Sequence, residues 1–176
     1  VVDVLRLFID RTATPIGELI VVADDEGRLR AIDWTDREAG MLRSLRLQYG
    51  PRGFALQPKR NPGGLTHAMA AYFKGDLGAI ESLPVATNGT PFQRKVWREL
   101  RRIPAGATLS YAELARRIDR ASAVRAVGHA NGANPISIVV PCHRVVGSDG
   151  SLTGYGGGIS RKRWLLAHEV AATERS

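Results

Sequence analysis

Between Leu83 and Gly89 the chain changes character, and that change limits how the rest of it can fold. The segment Leu83-Pro84-Val85-Ala86-Thr87-Asn88-Gly89 has little apolar periodicity. Residues 1–90 hold 11 Lys+Arg and 11 Asp+Glu, whereas residues 91–176 hold 14 and 6, so the whole +8 excess lies in the second half. A charge that served solubility alone would have no reason to segregate so completely. A surface that meets phosphates would, because neutralising them releases counterions; solvated, arginine-rich helix faces are the competing account. Two domains are expected, residues 1–84 and residues 85–176, and 44% hydrophobic content supplies each with a core.

In the first half, three apolar runs, Val4 to Ile9, Leu19 to Ala23 and Leu29 to Trp34, are separated by Thr14-Pro15-Ile16-Gly17 and Asp24-Asp25-Glu26-Gly27. This pattern predicts an antiparallel meander. Met41, Leu42, Leu45 and Tyr49 predict a helix over about 36–49, and Met69, Tyr72 and Phe73 one over about 65–74. Gly50-Pro51-Arg52-Gly53 and Asn61-Pro62-Gly63-Gly64 predict loops.

The second half opens on a well-marked helix start: Thr90 as N-cap, Pro91 in the first turn and Gln93 closing a capping box, with Phe92, Val96, Leu100 and Ile103 forming the apolar face. Ser110-Tyr111-Ala112-Glu113 predicts a second capping box, opening a short helix with Leu114 and Ile118 inward. A third begins near Ser122, carries Val124, Arg125, Val127, Gly128 and His129, and ends by Asn134, since Pro135 disfavours helix in the residue before it. Two short helices joined by a turn form a helix-turn-helix. Ile136 to Val140 reads as a short β-branched strand, Gly154-Tyr155-Gly156-Gly157-Gly158 as a loop, and about 161–170 as a last helix with Trp164, Leu165 and His168 inward. The expected class is α/β (α+β), with an N-terminal antiparallel sheet plus helices and a mostly helical C-terminal domain.

Cys142 is the single cysteine. One thiol makes no internal disulfide, structural zinc site or iron–sulfur cluster, and His67, His129 and His168 have no metal-ligand spacing. On composition alone it reads as a small buried hydrophobe. Its neighbours change that reading. In Ile138-Val139-Val140-Pro141-Cys142-His143-Arg144-Val145-Val146, an apolar run ends at a proline and is followed by the thiol, an imidazole and a cation. A thiol of pKa ~8.5 is only a few per cent ionised at neutral pH. An adjacent imidazole and positive charge accept its proton and stabilise the anion, which makes a nucleophile. The N-terminal residues Val1 to Arg6 lack the pattern of a signal peptide and no stretch has the length of a membrane helix, so a cytoplasmic protein is expected.

Pro141-Cys142-His143-Arg144-Val145 resembles the active-site signature of the O6-alkylguanine-DNA alkyltransferases. Thr90-Pro91-Phe92-Gln93, Ser110-Tyr111, Arg125-Ala126-Val127-Gly128, Asn134-Pro135, the glycines after Thr153, and Trp164-Leu165-Leu166 with His168-Glu169 fall in the family's order. The likeness covers nearly all of residues 89–170 and is to the single-cysteine bacterial type. It implies a ribonuclease H-like N-terminal domain and a winged-helix-like C-terminal one. It also implies direct-reversal repair: irreversible, stoichiometric transfer of an alkyl group from O6-alkylguanine, and from O4-alkylthymine, in flipped-out duplex DNA to Cys142.

By the same resemblance His143 would be the base, acting through a water, and Glu169 would hold its tautomer. Asn134 would brace the turn, and Tyr111 would donate a proton to the departing guanine. Arg125 would fill the gap left in the duplex, with Ser122, Ala126, Gly128 and Ala130 along the DNA-contacting helix. Val145, Tyr155, Gly156 and Gly157, with the Cys142 carbonyl, would form the base pocket. His129 and Asn131 receive no role. The partner implied is double-stranded DNA carrying the lesion, without cofactor, metal or membrane, and the protein is expected to be a monomer, with cooperative assembly on DNA left open. Two other functions compete: a cysteine hydrolase using Cys142 and His143, and a helix-turn-helix regulator in which Cys142 is structural. A thioether product separates the first reading from the hydrolase, because water does not displace a thiolate from an unactivated alkyl carbon.

Overall fold

The computed structural model describes residues 3–176. Val1 and Val2, part of the signal-peptide reading, lie outside the described residues. The chain divides into two compact units, Val1–Asn88 and Gly89–Ser176.

In the first unit, β1 (Leu5–Thr14), β2 (Gly17–Asp24) and β3 (Leu29–Trp34) pair antiparallel in sequence order, as the meander predicts. A fourth strand, β4 (Phe54–Pro58), lies parallel to β1 with Leu5 opposite Phe54 and Leu7 opposite Leu56, giving the order β3-β2-β1-β4. Apolar patterning predicts no strand there, since β4 is short and its only large apolar residues are Phe54 and Leu56. Pro58 is tolerated because β4 is an edge strand.

Strand β2 is central, and Leu19 to Asp24 are all buried. Ile20 and Val22 join Leu7, Ala31, Met41 and Leu45 in one cluster under α1 (Glu38–Tyr49). Alternation turns Leu19, Val21 and Ala23 to the other face, where α2 (Leu65–Phe73) packs on β1 and β2. The sheet is therefore covered on both faces.

In the second unit, α3 (Pro91–Leu100) begins with the predicted capping box: the Gln93 amide donates to Thr90 Oγ1 at 3.1 Å and the Thr90 amide to Gln93 Oε1 at 3.0 Å. Its buried face is Val96, Trp97 and Leu100, with Ile103 buried just beyond the helix end. Helix α4 (Tyr111–Arg117) is capped by Ser110 Oγ, which accepts from the Glu113 amide at 3.1 Å, but the predicted box is only half formed, because the Glu113 carboxylate accepts from Arg116 Nε at 2.8 Å. Helix α5 (Val124–Gly132) packs against both α3 and α4, and Trp97 Nε1 donates to the Ala130 carbonyl at 2.8 Å.

Residues Ile136 to Val140 are not a strand. Val139 N donates to Ser137 O and Val140 N to Ile136 O, so the segment is a series of tight turns, with Ile138 at φ 73°. A buried turn and a buried strand ask for the same apolar residues, which is why hydrophobicity misled. The extended pair here is instead β5 (Leu109–Ser110) beside β6 (Val145–Val146), in parallel. The last helix, α6 (Ile159–Arg175), is longer than expected. It turns Lys162, Leu165, Glu169 and Ala172 inward, while Trp164 and His168 are half-buried and stack on each other at 4.7 Å.

Candidate active site

The turns before Cys142 are held by one side chain. Asn134 Oδ1 accepts from the Ile136 amide at 2.9 Å, and its Nδ2 donates to the Val140 carbonyl at 2.7 Å. A β-branched residue with positive φ costs about 1–3 kcal/mol and persists only where its surroundings over-determine it. Asn134 supplies that restraint for Ile138. The chain then passes Pro141 into a 3-10 turn, Cys142–Arg144, whose three side chains are all buried.

From that turn His143 and Arg144 both reach Glu169 on α6. His143 Nε2 lies 2.7 Å from Glu169 Oε1; Arg144 Nη2 and Nε donate to Oε1 and Oε2 at 2.9 Å each, and Nη1 donates to the Ile103 carbonyl at 2.7 Å. Burial alone would raise the Glu169 carboxyl, but His143 and Arg144 outweigh it and hold the group well below the usual carboxylate range. Burial pushes the His143 imidazole below its ordinary value, against the pull of Glu169. The result is a neutral ring facing an ionised carboxylate. A carboxylate only accepts, so Nε2 carries the proton and Nδ1 is the basic nitrogen. Among the described residues no side chain or backbone group hydrogen-bonds to Nδ1.

The structure corrects one sequence reading here. Arg144 was expected to stabilise the sulfur anion, yet its guanidinium is spent on Glu169 and Ile103. A different cation is buried against the chain that follows the nucleophile. Lys162 is fully buried, and its Nζ donates to the carbonyls of Val145 at 2.6 Å, Thr153 at 3.0 Å and Gly154 at 3.5 Å. Burial lowers its ammonium pKa, and attraction to the Cys142 sulfur acts in the opposite sense. A lysine at an inward position of the last helix is the signal the sequence offers, and apolar patterning does not register it.

Tyr111, at the start of α4, donates its hydroxyl to the same Thr153 carbonyl at 3.1 Å. A Cβ on Gly128 or on Gly154 would each lie 3.9 Å from the Tyr111 ring system or hydroxyl, so Tyr111 stands between α5 and the glycine loop. Asn131, given no role from the sequence, is 3% exposed and its Nδ2 donates to the Cys142 carbonyl at 3.4 Å. Cys142, His143, Glu169, Asn134, Tyr111 and Val145 are thus brought together by side-chain contacts or by direct chain connection.

Other expected residues are placed differently. Arg125 and Ala126 are exposed in the first turn of α5, Ser122 is exposed in the turn before it, and Gly128 is half-buried. Ala130 is buried at 3% with its carbonyl held by Trp97, so its methyl faces the core rather than the expected DNA surface. Tyr155 and Gly157 are half-buried and Gly156 exposed; the Gly158 amide donates to Tyr155 O at 2.9 Å and Arg161 to Gly157 O at 3.2 Å. Among the described residues no group of three His, Cys, Asp or Glu side chains is arranged to hold a metal ion, and no helix is long and apolar enough to cross a membrane.

A buried thiol followed directly by an imidazole that pairs with a buried carboxylate, in a unit where the short helices α4 and α5 pack together, defines a protein built around one cysteine. Comparison with known proteins makes this specific. Residues 91–171 match the family described as 6-O-methylguanine DNA methyltransferase, DNA binding domain, and residues 8–87 match its ribonuclease-like domain. The chain belongs to the 6-O-methylguanine DNA methyltransferase family. It is 53% identical to the methylated-DNA–protein-cysteine methyltransferase of Salmonella typhimurium over 165 residues, 94% of this chain and 96% of that one. The corresponding protein of Mycolicibacterium paratuberculosis is 51% identical, over 89% of this chain and 88% of its own length. Among solved structures, Mycobacterium tuberculosis OGT in complex with DNA superposes with a TM-score of 0.74 at 37% identity, covering 95% of this chain and 94% of that one.

Proposed function

We propose that this protein repairs alkylated DNA directly, moving an alkyl group from O6-alkylguanine onto Cys142 in a reaction each molecule performs once. The observation that carries the reading is the line from Cys142 to His143 to Glu169, which leaves His143 Nδ1 basic one residue from the only thiol. His143 takes the thiol proton through a water. The thiolate attacks the alkyl carbon in line, the C–O6 bond breaks, and its electron pair leaves with guanine. Tyr111 gives guanine a proton as it departs, so one proton leaves the sulfur and one arrives on the base. The product is a thioether, which a weak base and water do not cleave.

The target carbon is stacked inside a duplex, so the base is flipped out. The exposed start of α5 suits DNA contact: Arg125 fills the gap, with Ser122, Ala126 and Gly128 along the backbone. The carbonyls of Cys142 and Val145 and the backbone of Tyr155 to Gly157 read the flipped base, and O4-alkylthymine is a second substrate. In this reading residues 85–176 bind DNA and react, while residues 1–84 form a ribonuclease H-like supporting domain. The protein works as a monomer in the cytoplasm, where it meets its substrate.

The test is intact mass after incubation with duplex DNA containing O6-methylguanine. One methyl gain per molecule that disappears in Cys142→Ala is expected. No gain, a gain that survives the substitution, or repeated turnover would overturn the reading, the last in favour of a hydrolase.

A further inference from the structure

Helix α5 buries Val127, Ala130 and Asn131, and of these only Asn131 is polar. It is 3% exposed and reaches the turn that carries the nucleophile. Asparagine is a poor residue for a helix interior, and an amide taken out of water costs stability unless its hydrogen bonds are replaced. Here only half of them are. Nδ2 donates to the Cys142 carbonyl at 3.4 Å, whereas Oδ1 is buried and has no hydrogen-bond partner among the described residues. A carbonyl only accepts, so the donor end of the amide turns to it and the acceptor end is left open. A leucine of similar volume would bury as well and leave no acceptor unpaired, so packing alone gives no reason for an asparagine.

Two neighbours place that open acceptor beside the reaction. The Cys142 carbonyl also accepts from the Val145 amide, so both of its lone pairs are in use. Tyr111 is the other neighbour. Burial raises the pKa of its hydroxyl, while its hydrogen bond to Thr153 and the Asn131 side chain act in the opposite sense. Asn131 thus stands next to both the carbonyl of the nucleophile and the hydroxyl that serves the departing base. In the alkyl-transfer reading, guanine brings an exocyclic amine to that carbonyl. The amine meets an acceptor already shared by two donors, and the unshared acceptor next to it is Asn131 Oδ1.

We propose that Asn131 reads the exocyclic amine of the flipped guanine: its Oδ1 accepts a hydrogen bond from that amine, while its Nδ2 holds the Cys142 carbonyl. The base supplies the one hydrogen bond that the buried amide lacks. Selectivity follows, because a base without the amine leaves Oδ1 buried and unpaired.

The proposal rests on the alkyl-transfer reading, and a pair of duplexes separates the two. One carries O6-methylguanine and the other O6-methylhypoxanthine, which differs only in lacking the amine; the readout is the single-turnover rate of methyl gain by intact mass. The unmodified protein should react faster with the guanine duplex. Asn131→Leu removes both polar atoms and puts a methyl group where Oδ1 stands. It should slow reaction with O6-methylguanine by about fivefold or more, the usual worth of one neutral hydrogen bond, and leave the rate on O6-methylhypoxanthine nearly unchanged. Asn131→Ala should narrow the ratio in the same direction, and circular dichroism shows which variants fold. Equal slowing on both duplexes in a folded variant, as a merely structural role would give, or an unchanged ratio, would overturn the proposal. If neither variant folds, the unmodified protein decides: equal rates on the two duplexes would overturn the proposal, and a preference for the amino base would support it. No methyl gain from either duplex by the unmodified protein would overturn the alkyl-transfer reading itself, and this proposal with it.

Discussion

Each unit of this protein buries a carboxylate between two basic side chains, and the two sites are built in opposite ways. In the first unit Asp24, 2% exposed, accepts the amides of Glu26 and Arg28 and the Nε atoms of Arg28 and Arg30 at 2.8 Å each. All of these partners lie within the hairpin that Asp24 begins, and the Arg28 side chain is 36% exposed. In the second unit Glu169 meets His143 and Arg144 across more than twenty residues of chain, with no side chain more than 10% exposed. A local, half-wet cluster fixes a turn. A distant, dry one fixes the protonation state of a base.

The largest expected effect follows from that contrast. Glu169→Gln leaves the Arg144 charge buried without its carboxylate, and breaking such a pair costs about 3–5 kcal/mol. It also replaces an acceptor-only carboxylate with an amide that can accept or donate, so the partner no longer assigns the His143 tautomer. Urea unfolding should register the loss, and single-turnover transfer at a temperature where the variant is folded should fall sharply. Asp24→Asn should cost less, about 1.5–3 kcal/mol for hydrogen bonds to charged groups, and leave transfer unchanged. Equal slowing by both variants would break the comparison.

Acid separates the two sites next. The His143 imidazole is held below its ordinary value by burial, so on unfolding it takes up a proton that the folded form refuses. The unfolded state then binds more protons, and stability rises with pH across that window. His143 therefore withdraws stability as pH falls below about 6.5, the unfolded histidine value. Glu169 and Asp24 both have lowered carboxyls, so their contributions are complete above about 4.3 and lost only as pH drops towards their folded values. Amide exchange between pH 7 and 5 should show weakening in the second unit ahead of the first. Parallel loss in both units would mean that the buried imidazole is not the cause.

Most of this was readable from the sequence where the signal was local. The capping box at Thr90, the N-cap half of the box at Ser110 and the hairpin turn at Asp24 each depend on residues within a few positions of one another, and each forms. What failed depended on distant partners. Strand β4 exists because β1 lies beside it, and nothing within Phe54–Pro58 announces that. The turns at Ile136 to Val140 read as a strand because the Asn134 brace is a side-chain effect that apolar patterning does not encode. Arg144 is two positions from Cys142 in sequence but is aimed elsewhere, whereas Lys162, twenty positions after Cys142, is a buried cation that donates to the Val145 carbonyl. Ala130 was placed on the DNA side by helix membership alone, and the Trp97 contact turns that part of α5 inward.

Asn134 tests whether the second unit depends on such long-reaching polar contacts. Asn134→Ala frees a buried amide and a buried carbonyl, at a cost of about 1–3 kcal/mol, and relaxes the restraint on Ile138. Transfer should slow even when the variant is fully folded, because Val140 leads directly into the turn that carries Cys142. A variant destabilised by that amount but unimpaired in rate would show that the turn holds its shape without its brace.

The smallest expected effect comes from a feature that both kinds of region share. Thr90 caps α3 through its own neighbours, in the second unit but by the local logic of Asp24. Thr90→Ala should cost about 1 kcal/mol, the usual value of an N-cap, and should leave the rate of transfer unchanged. The measurement is the urea midpoint alongside the single-turnover rate. A slowed reaction in this variant would tie the site to α3 through Trp97 and Ala130, and the difference between the two buried carboxylates would then owe more to packing than to charge.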